Sequence, residues 1–372
     1  MRSIETISVQ TAKLKERNIQ PKVMPVYQTS AFSFSSLEEM EGYYDGNGTY
    51  LYSRTANPNT DALGQAVADL EEAPSGVAAS SGMAAIFAGL LSVVSTGDHI
   101  LAAEDVYGGT FHLLKEELIR MGIQVHFVDF SSRDAIEQAL IDFPEIKLVF
   151  SESITNPFLR LEDIPALCQL KKQFDVKVMI DNTFATPYTV KPYGLGVDLV
   201  AHSATKYLGG HGDVTAGVLV GDADLLAKAE ERISSLGMNL SPFEAWLTVR
   251  GIKTLALRMK AQTDNARSIA AFLKGKARVW YPGKGAIVTF ELPEDADVYR
   301  FFSSLGWIEI VPTLAGVETT VSYPYGTSHR ALSDEEKEKI GVTKGIVRLS
   351  AGIEGTEDIL EQLAAAFEEL KK

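Results

Sequence analysis

From about residue 76 the chain alternates short apolar runs with longer segments that are apolar at every third or fourth position. The short runs are His99–Ala103, Gln124–Asp129, Lys147–Glu152, Val176–Asp181, Asp198–His202 and Ala216–Gly221. Their length and content predict strands buried on both faces. The amphipathic segment Phe111–Met121 and the helical patterns at Met83–Val94, Arg133–Phe143 and Ile164–Phe174 predict the helices between them. Strands separated by helices of this length make βαβ units and a mostly parallel sheet, which binds ligands at the carboxyl ends of its strands.

The last third reads differently. Residues 224–275 are helical in pattern, with Pro242 opening one helix and Gly251 interrupting the run. Residues 286–353 carry strand patterns at Ala286–Leu292 and Ile346–Ser350, and 356–371 form a closing amphipathic helix. Residues 1–60 carry few periodic signals and hold Pro21, Pro25, Gly42, Gly46, Gly48 and Pro58. Such a segment has no core of its own and is expected to wrap another surface, such as a second subunit. The expected organisation is an arm at 1–55, a large α/β domain at 56–235 and a smaller α+β domain at 236–372.

Charge and composition narrow the partners. Against 35 Lys+Arg stand 49 Asp+Glu, a net charge of −14, which argues against nucleic acid or an anionic membrane as the main partner. The most apolar stretch, Met83–Val94, is shorter than the roughly 20 residues a bilayer span needs. The N-terminal Met1–Ser8 lacks the apolar core of a secretory signal, so a cytoplasmic protein is expected. The single cysteine, Cys168, lies in a helical pattern and reads as a buried small apolar residue. Histidines at 99, 112, 126, 202, 211 and 329 lack zinc-type spacing, and no metal is expected.

Polar groups of interest collect at predicted strand ends. Asp181 closes one apolar run and leads into Asn182-Thr183; a carboxylate there needs a partner or a capping role. Lys206 lies in Ser203-Ala-Thr-Lys-Tyr-Leu-Gly-Gly, just past another strand. A lysine so placed can have its pKa lowered and serve as an imine-forming amine, although most lysines are simply solvated. Ser80-Ser81-Gly82-Met83 opens a helix, where free N–H groups suit a phosphate as well as they suit an ordinary serine cap. Tyr107-Gly108-Gly109-Thr110 sets an aromatic ring beside backbone that a ligand can approach. Together these are the parts a pyridoxal phosphate (PLP) site needs. No phosphate-binding P-loop or dinucleotide Gly-x-Gly-x-x-Gly is present.

The run Asp198-Leu-Val-Ala-His-Ser-Ala-Thr-Lys206-Tyr-Leu-Gly-Gly-His resembles the lysine signature of the PLP enzymes of cysteine and methionine metabolism, the trans-sulfuration family. Tyr52-Ser-Arg54-Thr-Ala-Asn-Pro58, Ser81-Gly-Met83, Tyr107-Gly-Gly-Thr, Glu152-x-x-x-Asn156-Pro157, Asp181-Asn-Thr and Val347-Arg348-Leu-Ser-x-Gly-Ile-Glu354 match in order, so the resemblance spans the chain. It implies a fold-type-I PLP enzyme assembled as a homotetramer of catalytic dimers. It also implies roles: Lys206 as the Schiff-base lysine, Asp181 on the pyridine nitrogen and Tyr107 against the ring. Ser81, Gly82, Met83, Ser203 and Thr205 would hold the phosphate, with Tyr52 and Arg54 from the neighbouring subunit. Asn156, Arg348 and Thr313 would hold the substrate.

The resemblance implies a sulfur amino-acid substrate. Lys206 would take the Cα proton and carry protons between Cα and Cβ while a Cγ substituent leaves, with Tyr107 assisting. Family members acting on cystathionine commonly have Glu before the Ser of Ser-Leu-Gly-Gly and Arg after Tyr-Gly-Gly-Thr-x; here those segments read Pro312-Thr313-Leu-Ala-Gly316 and His112. Methionine γ-lyases tend to carry Cys where this chain has Gly109. A C–S lyase acting by γ-elimination on methionine, homocysteine or cystathionine is the expectation. The alternatives are γ-replacement on an O-acylhomoserine, an aminotransferase, and an inactive regulatory protein on the same fold. Glu318, Tyr323 and His329 follow Thr313 and are open to either a distal-pocket or a structural role.

Overall fold

The computed structural model describes residues 2–12, 21–48, 50–328, 330 and 333–371. Its larger sheet holds β1 (Ser75–Ala79), β2 (His99–Ala103), β3 (Gln124–Val128), β4 (Ile146–Glu152), β5 (Lys177–Asp181), β6 (Leu199–Ser203) and β7 (Gly217–Gly221). The spatial order is β1-β7-β6-β5-β4-β2-β3. From β6 to β3 all neighbours are parallel, and β7 runs antiparallel to both β1 and β6. Helices cover the sheet, as the alternating pattern predicts. Helix Gly82–Val93 is apolar all round because it is enclosed by strands and by helix Ala223–Ser235. Among the described residues no helix is long and apolar enough to cross a membrane.

The second sheet holds β8 (Arg278–Trp280), β9 (Ile287–Glu291), β10 (Glu309–Ile310), β11 (Thr320–Ser322) and β12 (Ile346–Ser350), ordered β10-β11-β12-β9-β8. It packs on the closing helix Thr356–Glu369 through Phe290, Phe301 and Phe367, whose rings meet edge-on or tilted. Burying such a side chain is worth roughly 1.5–3 kcal/mol, so this cluster anchors the smaller unit. Helix Leu255–Leu273 joins the two cores: Leu255 and Met259 bury in the first, and Ala266, Ile269 and Leu273 in the second. Helix Pro242–Ile252 also buries in the first core, with Ala245, Val249 and Ile252.

Two differences from the sequence pattern stand out. The segment Phe111–Met121 is not one regular helix: helix Gly108–His112 runs into a wider π-helical turn at Leu113–Leu118. Helix Pro58–Glu71 precedes the first predicted element. It is started by the Asn57 cap with Pro58 in the first turn, and ended by Glu72 in a left-handed conformation. Its buried Asn57 and Asn59 tie down the N-terminal segment by bonding the Tyr27 and Pro25 backbones at 2.8–3.0 Å. The Trp246 indole N–H adds a bond to the Met24 carbonyl at 2.8 Å. The segment thus lies on the first core, and helix Leu37–Tyr44 buries no residue at all. Cys168 is a buried free thiol whose pKa burial pushes up.

Candidate active site

The carboxyl ends of β4, β5 and β6 open into a cavity of about 530 Å³. Ser81, Gly82, Met83, Tyr107, Asn156, Asp181, Ser203, Thr205, Lys206, Thr313 and Arg348 all line it, so residues spread over 268 positions of sequence (81 to 348) converge. Tyr52 and Arg54 do not line it. Arg54 donates to the Ser234 carbonyl at 3.0 Å and stacks over Tyr52.

Lys206 follows β6 by three residues. Its Nζ donates to Thr313 Oγ1 at 2.6 Å. Burial, and then the charge of Arg348, pull its pKa from 10.5 to about 8. The turn after it is held by Arg258, whose guanidinium donates to the Tyr207 and Gly251 carbonyls, each at 2.8 Å. Gly210 adopts a φ of +75° beneath that guanidinium, and a Cβ there would come within 2.1 Å of it. Only glycine meets both conditions.

Asp181 ends β5, directly opposite Glu152 at the end of β4. Its Oδ1 accepts from Thr183 N–H at 2.9 Å and Thr183 Oγ1 at 2.5 Å, and no cation pairs with its carboxylate among the described residues. Burial raises its pKa, and burial plus the Asp181 charge raise that of Glu152 well above the ordinary value. A half-buried carboxylate with one oxygen turned to the cavity is well placed for a cationic group that enters it. Glu152 accepts from the Tyr107 N–H at 2.6 Å, which fixes the loop carrying the ring. Arg160 grips Asp105 on the same loop through paired bonds of 2.7 and 2.8 Å. Neighbouring Asn182 donates to Glu71 Oε1 at 2.7 Å, and His202 meets the same oxygen at 2.9 Å.

Ser81 caps helix Gly82–Val93: its Oγ accepts from Ala84 N–H at 3.1 Å and its carbonyl from Ala85 at 3.0 Å. The ordinary cap and the anion site therefore coexist, because the N–H groups of Gly82 and Met83 keep no intrahelical acceptor. A Cβ on Gly82 would lie 2.6 Å from Ser203 Cβ, so glycine lets the Ser203 hydroxyl approach this cradle. Ser203 N–H is itself held by Thr183 Oγ1 at 2.7 Å, and the Thr205 hydroxyl meets the Ala216 backbone.

Arg348 leaves β12 and is fully buried. Among the described residues its one side-chain partner is Asn156 Oδ1 at 3.0 Å, and burial pulls its pKa to about 10. It stays charged at neutral pH and meets no carboxylate among the described residues, which makes it a ready grip for one. A buried amine, an anion cradle at a helix start, an unclaimed carboxylate and an exposed ring over the cavity together fit PLP.

The family model described as Cys/Met metabolism PLP-dependent enzyme matches residues 5–368. The chain belongs to this family. It is 38% identical to a cystathionine β-lyase of Lactococcus lactis subsp. cremoris (strain MG1363), covering 99% of this chain and all of that one. It is also 38% identical to a cystathionine γ-lyase of Bacillus subtilis (strain 168), covering 93% of this chain and 94% of the relative. In structure it matches a chain assigned as an O-acetylhomoserine (thiol)-lyase of Campylobacter jejuni that carries a pyridoxyl-lysine. That match has a TM-score of 0.92 and 28% identity, over 99% of this chain and 100% of that one. The family enzyme is PLP-dependent, and its fold is the mostly parallel sheet with a smaller second sheet described above.

Residues without a role in the sequence reading also reach the site. Glu152 lay in a quoted motif, but its bond to the Tyr107 backbone is a three-dimensional fact. Arg330 lines the cavity too, from a stretch with no motif. His112 and Glu318 are exposed and, like Tyr323, do not line the cavity. Tyr323 meets Phe302 edge-on and Tyr325 at a tilt. His329 lies outside the described residues.

Proposed function

We propose that this protein is a C–S lyase that releases a 2-oxo acid, ammonia and a thiol by γ-elimination from methionine, homocysteine or cystathionine. The observation that carries it is one cavity lined by the amine Lys206, the carboxylate Asp181 and the guanidinium Arg348, the last two with no ion-pair partner among the described residues. PLP, when bound, supplies an electrophilic carbon for the substrate's amino group and an electron sink for the charge left at Cα. Arg348, steadied by Asn156, takes the substrate carboxylate. Lys206 Nζ, with its pKa near 8, takes the Cα proton and then a Cβ proton, so that the electron pair left at Cβ expels the thiolate from Cγ; the thiolate leaves as the thiol after taking a proton, and water releases the 2-oxo acid and ammonia. This pKa range suits general acid–base work near neutrality. Thr313 Oγ1 orients that amine.

Asp181 would ion-pair the pyridine nitrogen and Tyr107 would cover the ring. The Gly82 and Met83 N–H groups, with Ser81, Ser203 and Thr205, would hold the phosphate. Tyr52 and Arg54, outside their own cavity, complete the phosphate site of a neighbouring subunit in a homotetramer of catalytic dimers. The arm at 1–55, the PLP domain at 56–235 and the C-terminal domain at 236–372 are the units of this assembly. The single buried cysteine suits a reducing cytoplasm.

Similarity over the whole chain to an O-acetylhomoserine (thiol)-lyase favours a second reading, γ-replacement on an O-acylhomoserine. Separate assays with methionine, homocysteine and cystathionine test both. Rapid 2-oxobutanoate with ammonia supports γ-elimination, whereas pyruvate from cystathionine would move the cut to the β position. Slow release from every thioether, with fast turnover of O-acetylhomoserine plus a thiol, overturns the lyase reading. Oxo acid without ammonia would mark an aminotransferase.

A further inference from the structure

The cavity's ionisable lining divides by commitment. Glu152 and Asp181 form the buried floor at neighbouring strand ends. Lys206 is engaged by Thr313, and Arg348 by Asn156. That leaves Arg330, which lines the same cavity but is exposed at its rim and ion-pairs with no carboxylate among the described residues. In a chain of net charge −14 that carries 49 acidic residues, an uncompensated guanidinium facing a catalytic cavity needs a reason.

Its placement supplies one. Arg330 N–H closes a turn onto the Thr327 carbonyl at 3.1 Å, and Gly326, Thr327 and Ser328 line the cavity beside it. This turn rests on the loop of Tyr107: a Cβ on Gly108 would lie 2.5 Å from the Ser328 carbonyl oxygen. The rim on the Tyr107 side is therefore cationic. The inner Arg348 is buried on β12, while His112, the residue that follows Tyr107-Gly-Gly-Thr-Phe, does not line the cavity. Two guanidiniums in one cavity, one buried and one at the rim, match a substrate with a carboxylate at each end.

We propose that Arg330 recognises the distal carboxylate of the substrate, so that the enzyme prefers sulfur or O-acyl amino acids ending in a second carboxylate, cystathionine or O-succinylhomoserine, over methionine or O-acetylhomoserine. The proposal rests on the family reading of Arg348 as the inner carboxylate site. It adds a grip where the sequence has His112 and Pro312 in place of the family's usual distal groups.

The test is binding to the PLP-loaded enzyme, followed through the absorbance of the bound cofactor, for wild type, Arg330→Gln and Arg330→Lys. The ligands are cystathionine against methionine and O-succinylhomoserine against O-acetylhomoserine. A charge-assisted bond to a carboxylate corresponds to about 10- to 100-fold in Kd. Arg330→Gln should shrink the preference for the distal-carboxylate member of each pair by about that factor, with Arg330→Lys recovering part of it. An unaltered ratio, equal losses for both members of a pair, or loss of the cofactor itself would overturn the proposal. If the wild type binds these ligands with the expected ratio but releases no oxo acid from any thioether, the lyase reading fails while the assignment of Arg330 stands.

Discussion

At the scale of single residues the site is defined by groups whose burial is uncompensated. Lys206 titrates near 8 in the cofactor-free protein because burial and the Arg348 charge both disfavour its protonated form. The folded pKa is depressed below 10.5, so folding disfavours the proton on this group. Its destabilising contribution is present below pH 8 and is relieved as pH rises from about 8 to 10.5. The same shift governs reactivity: the rate at which cofactor-free protein binds PLP covalently should rise with pH through about 8 and then level off. Stopped-flow absorbance across pH checks this, and Lys206→Ala should abolish the signal. Replacing Arg348 by Leu removes one cause of the shift, so that midpoint should move upward. Arg348→Lys keeps the charge but loses the paired grip, and KM for an amino-acid substrate should rise about 10- to 100-fold with the cofactor still bound. Steady-state kinetics beside the cofactor spectrum read both effects. That Lys206, Asp181 and Arg348 belong to one site was legible because each sits in a contiguous motif, and all three line the cavity. Glu152 and Arg330 were not, because what matters is which backbone or rim they face across 45 or more residues of chain.

At the scale of elements, periodicity was a good guide where one physical demand dominated. The parallel strands are apolar because both faces are covered; helices such as Ile164–Phe174 keep a polar stripe because one face meets water, and the enclosed helix Gly82–Val93 keeps none. The pattern said less where the demand was local and polar. The N-terminal segment is held by Asn57, Asn59 and Trp246 bonding to its backbone, contacts that leave no hydrophobic rhythm. Likewise, Ala245, Val249, Ile252, Leu255 and Met259 lie beyond residue 236, where the smaller domain is expected to begin, yet they pack in the first core. The start of helix Gly82–Val93 shows how an element end becomes a site. Gly82→Ala would press a Cβ to 2.6 Å from Ser203 Cβ, against a strand end rather than a flexible tip. Overpacking of this kind costs about 1–3 kcal/mol. Because the displaced hydroxyl and N–H groups belong to the anion cradle, PLP affinity should fall more than the cofactor-free thermal midpoint does. Equilibrium dialysis beside a melting curve separates the two.

At the scale of the whole molecule, the cavity gathers Asn156, Thr313 and Arg348 but not every residue proposed for the cofactor phosphate. Tyr52 and Arg54 stand outside it, on a segment with little core of its own. If they serve a neighbouring subunit, each active site is shared, and the sharing has an arithmetic signature. A Lys206→Ala chain still offers its Arg54, and an Arg54→Ala chain still offers its Lys206. Each variant alone should be nearly inactive. A mixed catalytic dimer holds one site lacking both groups and one site that is fully wild type. Random mixing makes about half the dimers mixed, so about a quarter of wild-type activity should return when the two chains are refolded or co-expressed together. Size-exclusion chromatography with light scattering would show whether the mixed species is the expected oligomer. Activity that stays at the sum of the two variants would place Arg54 in its own chain's structure, where it already bonds Ser234, and the shared phosphate site would be rejected.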